Sequence, residues 1–271
     1  FNIVLRLRLA MLSLRNQYCF SGFFVLLSLL MLKKIFNHRF GPVAIVAVLV
    51  CIISFITRII LLIISWQGLE LNPLKLIGIF IIGLFYDAVV SGFFAIPVAL
   101  YCWLMKDSFY KKRWNRIPLF ILFFIITFIL LLNAGGEIIF WDEFSVRYNF
   151  IAVDYLIYTT EVLGNIWESY NIPLIGTGVI LTTGAVVFLV RKKIALSQIV
   201  SMRFAKRTAF FFLFLLIPLA GYFLVNNRVK NISNNNYVNE LGGNGIYEFG
   251  AAFWNNEIDY NRFYIVHNDT A

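Results

Sequence analysis

Charge is scarce in this chain. Of 271 residues only 14% are Asp, Glu, Lys or Arg, whereas 61% are hydrophobic and 18% aromatic. A soluble domain carries roughly a quarter of its residues charged, so a soluble enzyme and a disordered segment are both excluded. Histidine is nearly missing, with only His38 and His267, and the three cysteines, Cys19, Cys51 and Cys102, lie in or beside apolar segments with no CxxC spacing. That scarcity excludes a zinc or iron centre built from histidine and cysteine, and a disulfide-stapled module. The cysteines read as small apolar fillers. A net charge of +9 can point to nucleic acid, but here the basic residues sit in loops between apolar runs and form no single basic face. Nucleic acid is therefore not an expected partner.

What is present is apolar sequence in runs of about 18 residues or more, the length that crosses a ~30 Å hydrocarbon core. Five runs qualify: Val43 to Ile64, Leu74 to Leu100, Ile117 to Ile139, Leu174 to Val190 and Thr208 to Val225. The fold class is an all-α polytopic membrane protein. Its domain layout is a five-helix transmembrane domain over 31–225, with an outer segment at 141–173, followed by an extracytoplasmic linker over 226–271. The second run is longer than one span and is expected to tilt, or to kink at Pro97. From residue 31 on, fourteen Lys and Arg residues fall before the first span, between the second and third and between the fourth and fifth, against five on the other side. Cytoplasmic loops retain positive charge, so the C-terminal tail is expected outside the cytoplasm. Residues 1–30 do not fit: Tyr18 to Leu32 is a short apolar run, and spanning with it would place Arg6, Arg8 and Arg15 outside. They read as an upstream artefact or a peripheral helix.

The outer segment WDEFSVRYNFIAVDYLIYTTEVLGNIWESYNIP is too polar to span and too apolar for a free loop. At 100° per residue, Asp154, Tyr158, Glu161, Asn165 and Glu168 share one face of a helix, and Val153, Leu156, Ile157, Thr160, Leu163 and Trp167 fill the adjacent sector. An amphipathic helix from Asp154 to Trp167 is expected to lie in the outer interface, with Trp and Tyr at headgroup level. Its acidic face is either simply solvated or a surface for a partner domain or lipid headgroups. In the tail, Gly242-Gly243-Asn244-Gly245 lacks the Lys-Ser/Thr of a P-loop and reads as a flexible turn. Tyr247 to Trp254 reads as a short helix resting on the membrane or on a following domain.

Ionisable groups inside spans are costly and need a partner or a wet cavity. Counting ~1.5 Å per residue from the outer helix ends puts Arg58 about 9 Å down, Asp87 about 20 Å and Glu137 a few Å. On depth Arg58 matches Glu137 better than Asp87, unless the long second helix is tilted or shifted. Two readings of Arg58 stay open: a helix-packing ion pair, or a lipid headgroup site in which Arg58 meets a phosphate and Glu137 and Asn133 orient it. In the fourth span, Gly176, Gly178, Gly184 and Ala185 point to close helix contact.

Two stretches carry a resemblance: FWDEFSVRYNFIAVDYLIYTTEVLGNIWESY from Phe140, and NELGGNG from Asn239 with AAFWNNEIDYNRFY from Ala251. They resemble the membrane part of the lipoteichoic acid synthase and sulfatase-like family of bacterial phosphoglycerol transferases, over about residues 31 to 265. The resemblance implies a multi-pass protein of the bacterial inner membrane whose five helices and extracytoplasmic linker precede a large soluble metal-dependent domain. In that domain a threonine beside a bound divalent metal, usually manganese, takes a glycerophosphate group from phosphatidylglycerol. No such domain lies within these residues, so no catalytic residue, metal ligand or cofactor is carried over to this chain. The implied role is a membrane anchor and lipid-presenting domain, with phosphatidylglycerol and the chain's own catalytic domain as partners. The alternatives are the same architecture serving a phosphoethanolamine transferase or a sulfate or phosphate ester hydrolase, and a non-enzymatic membrane scaffold.

Overall fold

Five helices of the computed structural model are long and apolar enough to cross a membrane. The structure describes residues 36–69, 72–157, 159–198 and 200–255. The stretch 1–30, read as an artefact or peripheral helix, lies outside the described residues. The spanning helices are α1 (Gly41–Ile64), α2 (Pro73–Leu104), α4 (Arg116–Phe144), α7 (Ile172–Ser197) and α8 (Phe204–Leu224). The short helix α3 (Asp107–Tyr110) joins α2 to α4, and α5 (Phe150–Ile157) and α6 (Thr159–Ser169) lie between α4 and α7. After α8 come a single 3-10 turn at Asn227–Lys230, then α9 (Asn236–Gly242) and α10 (Gly245–Trp254).

The start signals are local. Pro42, Pro73 and Pro173 sit in first turns, where a missing N–H costs nothing, and Asn72 and Asn171 accept from the backbone N–H of Lys75 and Leu174. Several helices outrun their apolar stretches because a charged turn ends a hydropathy run without ending a helix. Thus α7 continues through Arg191-Lys-Lys to Ser197. Pro97 lies inside an unbroken α2.

Helix α1 is the hub, packing on α2, α4 and α7, while α2 also carries α8 and α4 carries α7. The main core joins Val46 and Val50 of α1, Val98 and Ala99 of α2, Leu119 and Phe123 of α4 and Phe211 of α8. The close helix contact expected at Gly176, Gly178 and Gly184 is not found among the described residues, since a Cβ at each would meet nothing within 4 Å. Only 6% of the apolar window of α7 is buried, and its glycine face turns away from the described bundle.

The two ends of the bundle differ. At the end holding α3, Arg39 donates to the carbonyls of Cys102 and Met105 and pairs with Asp107, and Arg207 donates to those of Trp103 and Met105. These guanidiniums satisfy the carbonyls left open at the C-terminus of α2, where positive charge is also favoured by the helix dipole. At the opposite end, called here the tail end, α9 packs on α2 and α1, and α10 packs on α5, α4 and α2. The tail is therefore part of the bundle.

Candidate functional site

The tail end holds a cluster of buried charges assembled from α1, α2, α4 and the docked tail. Arg58 forms a two-pronged pair with Asp87, Nη1 to Oδ2 at 2.9 Å and Nη2 to Oδ1 at 2.9 Å, and both residues are 1% exposed. The expected pairing of Arg58 with Glu137 is thus corrected. Depth arithmetic treats side chains as level with their Cα atoms, but Cα–Cβ bonds lean toward the helix N-terminus. In the antiparallel pair α1 and α2, that lean carries Arg58 and Asp87 toward each other. Gly83, one turn before Asp87, supplies the room, because a Cβ there would land on the Arg58 guanidinium.

The same guanidinium holds the tail. Its Nε donates to the Leu241 carbonyl at 3.0 Å and its Nη2 to the Gly243 carbonyl at 3.1 Å. Asn244 then works from both sides. Its amide nitrogen donates to Asp87 Oδ1 at 2.8 Å and Ser54 Oγ at 3.1 Å, and its Oδ1 caps α10 by accepting from the Ile246 and Tyr247 N–H groups. Gly242 ends α9 and Gly245 opens α10, so the flexible turn expected from the glycines is instead a two-residue link, Gly243-Asn244, held by Arg58 and Asp87.

A second arginine supports the first. Ser145 takes a left-handed conformation, φ 55°, and ends α4, so the chain turns back and brings in Arg147. Arg147 pairs closely with Glu137 and donates to the carbonyls of Glu240 at 2.7 Å and Leu241 at 3.3 Å. Gly245 makes space for the Glu137 carboxylate, which a Cβ would strike. Lys230 completes the cluster, donating to Glu240 Oε1 at 2.7 Å and to Glu248 Oε2. Glu248 is 4% exposed, and its Oε1 has no partner among the described residues. Burial pushes its carboxyl up to about 8 despite the neighbouring Lys230.

Of the residues singled out for a lipid headgroup, Arg58 and Glu137 share this cluster without pairing. Asn133 is one turn from Glu137 and lines a cavity of about 10 Å³ with Glu137, Ser54 and Asn244, room for about one water. Its carbonyl accepts from the Tyr148 hydroxyl at 3.3 Å. Of the acidic stripe, Asp154 is half-buried on α5, and Asn165 and Glu168 are exposed on α6. Tyr158 and the Glu161 side chain lie outside the described residues. Sequence reasoning missed Arg147, Lys230, Glu240, Glu248 and Asn244 as site residues. The available signal was the excess of carboxylates over arginine near the spans, which calls for cations from elsewhere.

A larger recess of about 350 Å³ opens beside the cluster, between residues 146–150 and the tail, with Lys230, Glu240 and Glu248 in its wall. Manganese, implied by the resemblance, finds no fit here: among the described residues no three His, Cys, Asp or Glu side chains are grouped to hold a metal ion. The cluster's carboxylates face cations of the protein instead. Compared with protein-family models, with curated proteins and with solved structures, the chain gives no match.

Proposed function

We propose that this chain is the membrane anchor and lipid-presenting part of a phosphoglycerol transferase of the lipoteichoic acid synthase and sulfatase-like family, set in a bacterial inner membrane with its tail on the extracytoplasmic side. The observation that carries the reading is the docked tail. Two buried arginines, Arg58 and Arg147, grip the carbonyls of Glu240, Leu241 and Gly243, so chain beyond α10 leaves the membrane domain from a fixed place at the span ends. A domain attached there would be held over the lipid surface, where a phosphatidylglycerol headgroup is within reach. The side is supported by the split of basic residues between the loops.

In this reading α5 and α6 lie along the outer interface. Support comes from their place between two spans and from α6, which packs on α5 and exposes Trp167 beside Asn165 and Glu168. Divalent metal and transfer chemistry would belong to the attached domain. The test is release of diacylglycerol from phosphatidylglycerol by the full-length gene product in proteoliposomes supplied with manganese. Release that requires phosphatidylglycerol and stops on chelation is expected. No release from that lipid, with activity on another headgroup or none, would overturn the proposal.

A further inference from the structure

Helices α1 and α8 both pack on α2, and toward the α3 end of the bundle the three leave a groove of about 250 Å³. Small residues make the room. Ala44 and Ala47 of α1 and Ser91 and Gly92 of α2 line it together with Phe210, Phe214 and Ile217 of α8. The Ser91 hydroxyl donates to the Ala88 carbonyl at 2.7 Å, so it presents no donor to the groove. Gly92 sets how near α8 can come, since a Cβ there would lie 3.2 Å from Ile217 and Pro218. Within a span, an apolar groove of this kind takes hydrocarbon and not water.

The end of the groove nearest α3 is polar and basic. Arg203, Lys206, Phe210, Phe214 and Ile217 recur at intervals of three and four residues, so they follow one face of α8, with the two cations exposed just before the groove begins. From Lys206 to Ile217 is roughly 16 Å of helix, about the hydrocarbon depth of one leaflet. His38 stands at the same mouth, its ring 4.9 Å from that of Phe210 and 6.2 Å from that of Phe40, which also lines the groove. Its Nδ1 accepts from the Phe40 N–H at 3.3 Å, which puts the ring proton on Nε2 as a donor, and burial lowers its pKa and keeps the ring neutral. Acidic competitors are missing from the sequence itself. The stretches 1–41, 105–116 and 191–207 hold one acidic residue, Asp107, and Arg39 pairs with it.

We propose that the groove between α1 and α8 holds one acyl chain of an anionic phospholipid, whose phosphate meets Lys206, Arg203 and the Nε2–H of His38. Charge complementarity names the occupant: an apolar slot of leaflet depth ends at two exposed cations and a neutral donor, in a part of the chain almost without acids. A choline headgroup would set its own cation against Lys206. The inference is independent of the phosphoglycerol reading, because this lipid is held at the α3 end of the bundle and the docked tail is at the other.

The test is lipid retention by the whole chain, read by native mass spectrometry after extraction from nanodiscs of equal phosphatidylcholine and phosphatidylserine, an anionic lipid that the proposed transfer does not use. About tenfold preferential retention of phosphatidylserine is expected, as one charge-assisted hydrogen bond separates the two headgroups. Lys206→Gln, at an exposed position where folding is not at stake, should bring the preference close to parity. Lys192→Gln, also exposed but on α7, which lends no residue to the groove, should leave it unchanged. Ala47→Trp fills the groove and should release the bound lipid. Equal retention of the two lipids, retention untouched by Ala47→Trp, or equal loss of preference in the two lysine variants would overturn the proposal, the last by reducing the site to a diffuse positive surface. A disulfide between cysteines placed at 47 and within residues 18–32 would overturn it too, by making a segment of this chain the occupant.

Discussion

Replacing Asp87 by Asn keeps the shape of the side chain and removes its charge, so it isolates what the carboxylate does for Arg58. In the native protein the guanidinium has two bonds to Asp87 and one each to the Leu241 and Gly243 carbonyls. With Asn it becomes a buried, uncompensated cation, which costs about 3–5 kcal/mol. Replacing both Arg58 and Asp87 by Leu removes the two charges together, and that exchange is close to neutral for an isolated pair. Here it is not isolated. The Leu241 carbonyl would keep Arg147 and the Asn244 amide would keep Ser54, but the Gly243 carbonyl would lose its Arg58 bond, at about 1–3 kcal/mol. The expected order of stability is native, then the double variant, then Asp87→Asn. Unfolding in detergent gives the order, and hydrogen exchange over residues 241–248 shows whether loss begins at the tail. Native-like stability and protection in Asp87→Asn, or a double variant below the single one, would refute the reasoning.

Three further outcomes follow from the same geometry. Gly83→Leu should destabilise by about 1–3 kcal/mol, because its side chain takes the space of the Arg58 guanidinium, and thermal unfolding checks this. Glu248 has a folded pKa of about 8, above its unfolded value, so folded protein binds the extra proton and stability falls as pH rises from about 4 through 8. Glu248→Gln should flatten that decline in a melting series from pH 5 to pH 9. At the other end of the bundle, Arg39→Leu strips Cys102 and Met105 of a carbonyl partner and leaves Asp107 without its arginine, and should cost about 2–4 kcal/mol by the same unfolding assay.

The spans were legible because long apolar runs have few other fates, and their cores coincide with α1, α2, α4, α7 and α8. Their ends were less so, since Arg191 to Lys193 stop a hydropathy run while the helix continues. Arg58 was recognised as needing a partner, but its choice turns on side-chain lean and on the gap at Gly83, neither of which a depth count includes. The tail was hardest. Lys230 and Glu240 are ordinary polar residues in an asparagine-rich stretch and Glu248 a lone carboxylate in an apolar-aromatic one, and docking onto α1, α2 and α4 buries them. Glycines at 242, 243 and 245 looked like freedom, yet at 243 and 245 they make room for Glu248 and Glu137. Asp154 lies on α5 and Glu168 on α6, on either side of residue 158, which lies outside the described residues.

The claim on which the rest depends is that the tail belongs to the membrane domain, docked at the span ends that the proposed function places outside. Asn236 is exposed, whereas Leu241, between the two arginines, is fully buried. In a chain with its native cysteines replaced by alanine, single cysteines at these positions can be challenged with a membrane-impermeant maleimide. The account predicts rapid labelling at 236 from the outer face of intact cells, and protection at 241 until the protein is unfolded. Labelling of 236 only after the inner membrane is opened, or labelling of 241 as fast as 236, would contradict it.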